Sequence, residues 1–332
     1  MCNCRENSPL VVIQCLTYNH APYIRQCLDG FVMQKTTFPF IAIVHDDAST
    51  DGTSDIVREY ENKYPDIIKG IYQKENQYKT NPQAIGDAIA PWLTSKYLAI
   101  CEGDDYWTDP LKLQKQVDLL EQTPEIGVVY SRAQCFYQKS KKIKETIGKD
   151  YISFENLLHV NVIPTLTVMF RKELQRRYEY EIKPYEKQWK MGDYPMWLWM
   201  SKNSKLYFMN EVTGVYRILD ESASHAKSID KYMEFYKSCK EIQYFFIGDS
   251  HQPELLNRIN EYYNSRMYLL CLEHGYAEIR TYRNYLQNLE PLSLKSRLLK
   301  ISSNYRICEI LLKICLQYTF FRKIYNLLIK NN

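Results

Sequence analysis

The sequence predicts an α/β protein with a doubly wound, mostly parallel central sheet and helices on both faces, followed by a helical C-terminal region. Two observations support this prediction. Between Leu10 and Cys135, short apolar runs alternate with stretches of helical periodicity, which is the pattern of parallel strands joined by crossover helices. Polar clusters directly follow three of these runs, and ligands of such sheets bind beyond the carboxyl ends of the strands.

Apolar runs rich in β-branched residues predict the strands. Five such runs occupy residues 10–16, 38–44, 67–72, 97–101 and 126–135. Helices are predicted between them where apolar residues recur at helical spacing, after Pro22, over 56–64, over 81–93 and after Asp109-Pro110. Asp109 can cap the last of these helices and Pro110 suits its first turn. Further on, we expect a solvated basic turn at 139–144 and strands at 162–170 and 212–218.

The residues after the fourth strand carry the strongest functional signal. Glu102, Asp104 and Asp105 surround a single glycine, Gly103, at the end of a buried run. Carboxylates held this close repel one another and lose hydration, so a bound cation stabilises them. Hard oxygen ligands of this kind suit Mg²⁺ or Mn²⁺. The alternative is a solvated acidic turn before a helix cap.

A second acidic loop follows the second strand. The spacing of Asp47, Ser49 and Asp51 imitates the first half of an EF-hand loop, but the twelfth position from Asp47 is Arg58 instead of glutamate. A calcium site of that type is therefore excluded. As a nucleotide contact, one carboxylate of the loop can accept from a pyrimidine N–H. In the alternative, Ser49, Thr50 and Asp51 only close the turn and cap the next helix.

Other nucleotide signatures are missing from the sequence. No two glycines stand in a Gly-x-Gly arrangement, which excludes a dinucleotide fingerprint and a P-loop. A phosphate-binding protein without a glycine cradle needs a metal ion for the phosphates, and the acidic run at residues 102–105 offers a place for one.

Composition limits the remaining classes. The 332 residues allow one large domain or two modest ones, and a net charge of +4 does not indicate nucleic acid as a partner. The ten cysteines are scattered without a Cys-x-x-Cys pair, so we expect no zinc site and a reducing compartment. We see no signal peptide and no apolar stretch of about 18 residues. The expected location is the cytoplasmic side of the membrane.

Two later positions are candidates for chemistry. Asp193 stands at the head of a strongly apolar helix, where desolvation beside tryptophans suits a general base. A plain N-cap is the alternative. Arg217 and His225 are placed to meet a diphosphate, or else lie on the surface.

The chain from residue 229 to residue 289 is predicted to be helical, and the segment after it is amphipathic. Basic side chains lie mostly off its apolar stripe, which suits the surface of an anionic bilayer. Packing on the protein itself or on a partner is the alternative. The stripe consists of Ile307, Leu311, Ile314, Tyr318, Phe321, Tyr325 and Leu328.

These residues together resemble the family 2 glycosyltransferases of bacterial surface-polysaccharide synthesis, which have the GT-A fold. The resemblance covers roughly Pro9 to His225. It depends on the combination of Thr-Tyr-Asn-His after the first strand, Asp-Asp-Ala-Ser-Thr-Asp-Gly-Thr after the second and Cys-Glu-Gly-Asp-Asp-Tyr-Trp-Thr-Asp-Pro after the fourth. Gly-Asp-Tyr-Pro and Tyr-Arg segments follow in the expected order.

The resemblance implies a role for each of these positions. Glu102-Gly103-Asp104 matches the family's Asp-x-Asp metal motif, with glutamate as a departure at its first position, and Asp193 matches the place of the catalytic base. The implied nucleotide-binding residues are Thr17, Tyr18, Asn19, Asp46, Asp47, Glu102, Gly103 and Asp104. The implied metal ligands are Asp104, Asp105 and His225, with Mn²⁺ or Mg²⁺ as the cofactor, and Arg217 and Trp107 would meet the diphosphate or the acceptor.

The implied enzyme is an inverting, metal-dependent hexosyl- or N-acetylhexosaminyltransferase. It would move a sugar from a nucleoside-diphosphate donor, such as a UDP-sugar, to a glycan or lipid-linked glycan in polysaccharide or lipopolysaccharide synthesis. It would be peripheral on the inner face of the plasma membrane. We expect a catalytic domain over 1–228 (nucleotide half 9–135, acceptor half 136–228), a helical extension over 229–290 and the basic segment over 291–332. A non-catalytic nucleotide-sugar binder, a nucleotidyltransferase and a membrane-surface scaffold are the alternatives.

Overall fold

The structure is a computed structural model that describes residues 8–150, 153–219, 229–248, 253–291 and 293–317. The chain divides into two compact units, Met1–Ser222 and Ala223–Asn332. In the described ranges, no helix combines the length and the apolar character needed to span a bilayer.

The first unit combines one sheet with surrounding helices. Its described strands are β1 (Val11–Thr17), β2 (Phe40–Asp46), β3 (Ile68–Tyr72), β4 (Tyr97–Ile100), β5 (Tyr106–Trp107), β6 (Ile126–Tyr137), β7 (Lys142–Ile147), β8 (Met169–Arg171) and β9 (Lys205–Ile218). Its described helices are α1 (Ile24–Val32), α2 (Thr53–Lys63), α3 (Gln77–Thr80), α4 (Gln83–Ile89), α5 (Lys112–Gln122), α6 (Phe154–His159), α7 (Lys172–Ile182) and α8 (Asp193–Asn203).

The order of the strands places three strand ends side by side. The sheet runs β3-β2-β1-β4-β8-β6-β9-β5, with β7 paired to β6. The four strands β3, β2, β1 and β4 are mutually parallel, whereas β8 pairs antiparallel with both β4 and β6. The predicted α/β fold with a mostly parallel central sheet is confirmed, and the sheet becomes mixed beyond β4.

The core lies against the parallel strands, as their unbroken apolar sequences require. Val11, Val12 and Ile13 of β1 are all fully buried, so this strand is covered on both faces, which is typical of parallel strands. Phe31 of α1 packs edge-on against Trp107, with ring centroids 5.0 Å apart. This packing fixes the chain that follows the acidic run.

Three local predictions differ from the structure in detail. The helix predicted after Asp109-Pro110 is present and begins at Lys112, and the Asp109 carboxylate accepts from the backbone N–H of Leu111 over 2.9 Å in the turn that leads into it. Residues 162–170 form a strand only from Met169, after a 3₁₀ turn at Thr165–Thr167. The expected solvated basic turn is exposed and is a turn over residues 139–141, but residues 142–144 already belong to β7, which pairs with β6 in a hairpin.

The second unit is helical in its described ranges. It contains α9 (Ile229–Ile247), α10 (Pro253–His274), α11 (Ile279–Asn288), α12 (Leu294–Asn304) and α13 (Arg306–Gln317). Its core contains Tyr268, Leu286 and Leu299. The predicted amphipathic stripe begins on α13, and its later members, Tyr318, Phe321, Tyr325 and Leu328, lie outside the described residues.

Candidate functional site

The ends of β2, β1 and β4 lie at one edge of the sheet and carry the three polar clusters. Backbone pairing continues past the strands. The N–H of Asp47 donates to the carbonyl of Thr17 over 3.0 Å, and the N–H of Gly103 donates to the carbonyl of Leu16 over 2.9 Å. The clusters that the sequence placed at strand ends are therefore brought together, as the parallel topology predicts.

Gly103 occupies a place that only glycine can fill. A Cβ atom built on it would lie 2.6 Å from Thr17 Oγ1, 2.7 Å from Thr17 Cβ and 3.0 Å from His20 Nδ1. A larger residue would push the acidic run away from the end of β1. The glycine thus sets how closely Glu102 and Asp104 approach the first loop.

The loops after β1 and β2 are tied together by hydrogen bonds. Asn19 has a left-handed backbone (φ 54°), its N–H donates to Ser49 Oγ over 2.8 Å, and its side-chain oxygen accepts from the N–H of Thr50 over 2.9 Å. Asp51 accepts from the N–H of Ala21. Asn19, Ser49 and Asp51 therefore hold the two loops in place, while Tyr18 is 38% exposed and presents its ring outward.

The two aspartates at the end of β2 are buried and engaged within the protein. Asp46 accepts from the hydroxyl groups of Ser49 and Ser54. The two carboxylate oxygens of Asp47 accept from the backbone N–H groups of Gln77 and Tyr78, over 2.8 and 3.0 Å. Asp46 is 1% exposed and Asp47 is 4% exposed, so both carboxylates are enclosed and hold the end of β2 in place. A direct contact of either carboxylate with the base, which we predicted, is therefore not part of the site proposed below.

The acidic run separates into two accessible carboxylates and one buried carboxylate. Glu102 and Asp104 are partly exposed, whereas Asp105 is 3% exposed and accepts from the backbone N–H of Arg217 over 2.7 Å. Burial, and then the charges of Asp104 and Glu102, raise the pKa of Asp105 well above its ordinary value. We predicted Asp105 as a metal ligand, but its carboxylate is enclosed in the protein and is therefore omitted from the site proposed below.

Arg217 is neither on the surface nor free. It is 5% exposed, and its Nε donates to the carbonyl of Asp104 over 2.7 Å. Its two terminal nitrogens donate to the side-chain oxygens of Gln138 and Gln26, over 2.9 and 2.7 Å. The expected surface alternative is wrong. Through its contacts with Asp104 and Asp105, Arg217 holds the acidic run in position from within the protein.

Trp107 was expected to meet the diphosphate or the acceptor. It is 2% exposed, and its indole N–H donates to the carbonyl of Leu166 over 2.7 Å. The ring lies in the main core with Phe31. A side chain enclosed in this way has no surface to offer a ligand, so Trp107 contributes to the shape of the site only through packing.

Asp193 begins α8, and its charge acts on Glu102 of the acidic run. Its two oxygens accept from the Thr165 hydroxyl and from the N–H of Tyr194, each over 2.7 Å. The pKa of Glu102 is raised to about 7 by burial and then by the charges of Asp104 and Asp193. Asp193 is distant in sequence from Glu102 and Asp104, and the three carboxylates share one electrostatic environment.

Sequence reasoning missed two residues beside Asp193. Thr165 lies in a stretch that was interpreted as a plain strand, and Tyr178 of α7 has a buried hydroxyl without a hydrogen-bond partner. Burial raises the pKa of Tyr178, and the nearby charge of Asp193 contributes. The break in the apolar pattern at Thr165 was the only signal available in the sequence.

The residues fit a metal ion that is shared with a ligand and do not form a complete protein cage. Within the described ranges, no group of three or more His, Cys, Asp or Glu side chains is arranged to hold a metal. Mg²⁺ is commonly held by one or two carboxylates together with substrate phosphates. Glu102 and Asp104, which are accessible and repel each other, suit that arrangement. His225 lies outside the described residues.

Comparison with known proteins decides the family. Residues 13–202 match the family model described as Glycosyl transferase family 2, which is more than half of the chain. The chain belongs to glycosyl transferase family 2. Enzymes of this family commonly use divalent metal ions.

Relatives of this family 2 chain support the same grouping. An uncharacterized protein of Mycobacterium tuberculosis is 39% identical over 161 residues, and the aligned part covers 48% of this chain and 46% of that protein. The chain thus spans about half the length of this relative. TuaG of Bacillus subtilis, whose name assigns it to teichuronic acid biosynthesis, is 26% identical over 227 residues, covering 66% of this chain and 83% of TuaG.

Solved structures agree on the fold. The crystal structure of S. aureus TarS 1–349 in complex with UDP-GlcNAc has a TM-score of 0.60 at 16% identity, covering 94% of this chain and 92% of that chain. The same segment without UDP-GlcNAc gives a TM-score of 0.57. At this level of identity, the likeness concerns the fold of this family 2 protein.

Proposed function

We propose that the protein is an inverting glycosyltransferase that transfers a sugar from a nucleoside-diphosphate donor, a UDP-sugar, to a hydroxyl group of a glycan or lipid-linked glycan. The observation that supports this proposal is that Asp193, at the start of α8, lies near enough to Glu102 for its charge to act on that carboxylate, which stands with Asp104 after β4. A donor diphosphate needs positive charge and an acceptor hydroxyl needs a base. Glu102 and Asp104 would hold a cation that supplies the positive charge, and Asp193 would serve as the base.

The nucleotide is proposed to lie across the ends of β1 and β2. The partly exposed ring of Tyr18 offers a surface for stacking, and Asp47 holds the chain at the end of β2 beside it. Thr17, Asn19, Asp46 and Gly103 shape this pocket through the contacts described above. The UDP-GlcNAc complex of the TarS segment, which shares the fold, supports a nucleotide-sugar as the donor.

Glu102 and Asp104 would hold a divalent cation, Mn²⁺ or Mg²⁺, against the donor diphosphate. When bound, the cation supplies positive charge to the departing nucleoside diphosphate. Arg217 donates to the Asp104 carbonyl and so keeps this part of the backbone fixed. The Asp104 carboxylate is therefore already in position before the donor binds.

Asp193 is proposed to take the proton from the acceptor hydroxyl. As this proton is lost, the acceptor oxygen forms a bond to the anomeric carbon and the bond to the diphosphate oxygen breaks. A single displacement of this kind inverts the configuration. Thr165 holds one Asp193 oxygen by donating its hydroxyl proton. The neighbouring N–H of Tyr194 holds the other oxygen, so the carboxylate is oriented before the substrates arrive.

We also propose that the second unit attaches the enzyme to the inner surface of the plasma membrane. On α13, Ile307 is 74% exposed and Leu311 is 56% exposed, and on α12 Leu294 is 51% exposed. Between residues 294 and 314 the sequence holds several basic residues and one acidic residue. An exposed apolar surface with a basic rim suits an anionic bilayer, where a lipid-linked acceptor would be found.

The test is release of nucleoside diphosphate from a panel of donor sugars, with Mn²⁺, with Mg²⁺ and with EDTA. Metal-dependent release from one donor would support the proposal and name the sugar. If no donor is consumed, calorimetric titration of the same donors distinguishes two cases. Binding without turnover would favour a non-catalytic nucleotide-sugar binder, and absence of binding would refute the proposal.

A further inference from the structure

In the second unit, tyrosines and cations line the contact between α9 and α10. Tyr232 and Tyr236, one turn apart on α9, have ring centroids 4.7 Å apart and hydroxyl oxygens 3.0 Å apart. Arg266 of α10 donates to the Tyr232 hydroxyl, and its guanidinium carbon lies 5.5 Å from the centre of the Tyr236 ring. Lys295 of α12 lies near the same arginine.

The two cations are not neutralised by acids. Among the residues that the structure describes, neither Arg266 nor Lys295 forms an ion pair. The side chains that interact electrostatically with the Arg266 guanidinium are those of Tyr236, Tyr232 and Tyr262. Burial, and then the positive charge of Arg266, lower the pKa of Lys295. The buried carboxylate of Glu261 on α10 accepts a hydrogen bond from the Ser293 hydroxyl. Two neighbouring cations that are partly withdrawn from water and form no ion pair are costly, so this group suits a bound anion.

Arg266 also has a hydrogen-bond donor that is not used within the described residues. The Nε of Arg266 is buried and has no partner. Arginine binds phosphate through its planar fork, lysine adds a point charge, and tyrosine hydroxyls can donate to further oxygens. A carboxylate offers two acceptor oxygens and one negative charge, whereas a phosphate monoester offers three oxygens and close to two negative charges. The donor count and the charge both favour phosphate.

We propose that Arg266, Lys295 and the hydroxyl groups of Tyr232 and Tyr236 form a binding site for a phosphate ester, carried by either a phospholipid headgroup or a phosphate-bearing sugar. This site belongs to the second unit alone. It does not depend on the proposed transferase activity, so the failure of either proposal leaves the other standing.

The experiment is hydrogen–deuterium exchange on the full chain, followed in peptides from α9 and α10. The soluble probes are glycerol 3-phosphate and glucose 1-phosphate. The membrane probes are vesicles of phosphatidic acid, a phosphate monoester, in phosphatidylcholine, compared with pure phosphatidylcholine. We expect slower exchange in these peptides with a phosphate probe. Arg266→Gln should weaken the effect about tenfold, because it removes a charged hydrogen-bond donor. Arg258→Gln, an exposed position on α10, is the matched control and should change nothing.

Each outcome decides the matter. Protection by glucose 1-phosphate supports a sugar phosphate. Protection by the anionic vesicles, with or without glycerol 3-phosphate but not by glucose 1-phosphate, supports a lipid headgroup. Absence of protection with every probe overturns the site, as does an Arg266→Gln variant that binds like the wild type. An equal effect of Arg258→Gln would indicate unspecific attraction and would also overturn it. If circular dichroism shows that Arg266→Gln loses helix, Lys295→Gln replaces it, with Arg297→Gln as the control on α12.

Discussion

Removal of the Thr165 hydroxyl should slow the chemical step while donor binding remains nearly unchanged. This hydroxyl donates to Asp193 Oδ2 over 2.7 Å, and Thr165→Val keeps the shape of the side chain but removes the donor. A hydrogen bond to a charged group contributes about 1.5–3 kcal/mol. If that orientation of the base is lost, kcat falls about 10- to 100-fold.

The assay is the initial rate of nucleoside diphosphate release at saturating donor and varied acceptor. Thr165→Ser is the matched control, because it keeps a hydroxyl at the same position and should retain most of kcat. Thr167→Val is the structural control, since the Thr167 hydroxyl donates to the carbonyl of Pro164 over 2.8 Å and none of its hydrogen bonds involves Asp193. A folded Thr165→Val enzyme with kcat within about twofold of wild type would refute the positioning role.

Three further predictions concern the acidic run. Gly103→Ala should weaken donor binding and lower the free energy of unfolding by about 1–3 kcal/mol, because its Cβ would lie 2.6 Å from Thr17 Oγ1; unchanged calorimetric affinity and urea unfolding would contradict this. The pKa of Glu102 is about 7 in the folded protein and 4.5 ordinarily, so ionisation of Glu102 costs stability as the pH rises through this interval. Glu102→Gln should therefore be about 2 kcal/mol more stable than wild type at pH 8 and lose that advantage at pH 4, and a pH-independent difference would count against it. Arg217→Lys should lower the free energy of unfolding by about 2–4 kcal/mol, because an ammonium group cannot replace the three directed bonds of the guanidinium. Urea unfolding measures this loss, and a loss below about 0.5 kcal/mol would show that the three hydrogen bonds of Arg217 contribute little to stability.

Sequence reasoning succeeded where a repeating pattern carries the information. Parallel strands put their carboxyl ends at one edge, so the clusters after β1, β2 and β4 were predictable as neighbours before any distance was known. The apolar sequence of β1 also showed that both of its faces are covered. These conclusions depend on periodicity and topology, which one chain reveals directly.

The sequence could not show which polar side chains point outward. Asp104 and Asp105 are adjacent and chemically alike, yet one is accessible and the other is enclosed beneath the backbone of Arg217. Trp107 stands in a motif of functional residues but packs into the core. Thr165 approaches Asp193 through a short turn that interrupts an apolar run. Such placements result from tertiary packing between distant segments, which local pattern does not encode.

The central claim is that Asp193 performs the chemistry without binding the donor. The most direct measurement compares Asp193→Asn with wild type, by calorimetry for donor binding and by nucleoside diphosphate release for turnover. Asparagine keeps the size of the side chain and removes the proton acceptor. We expect donor affinity to change less than about threefold and turnover to fall by about 10²- to 10⁴-fold. Turnover near the wild-type rate would contradict the account.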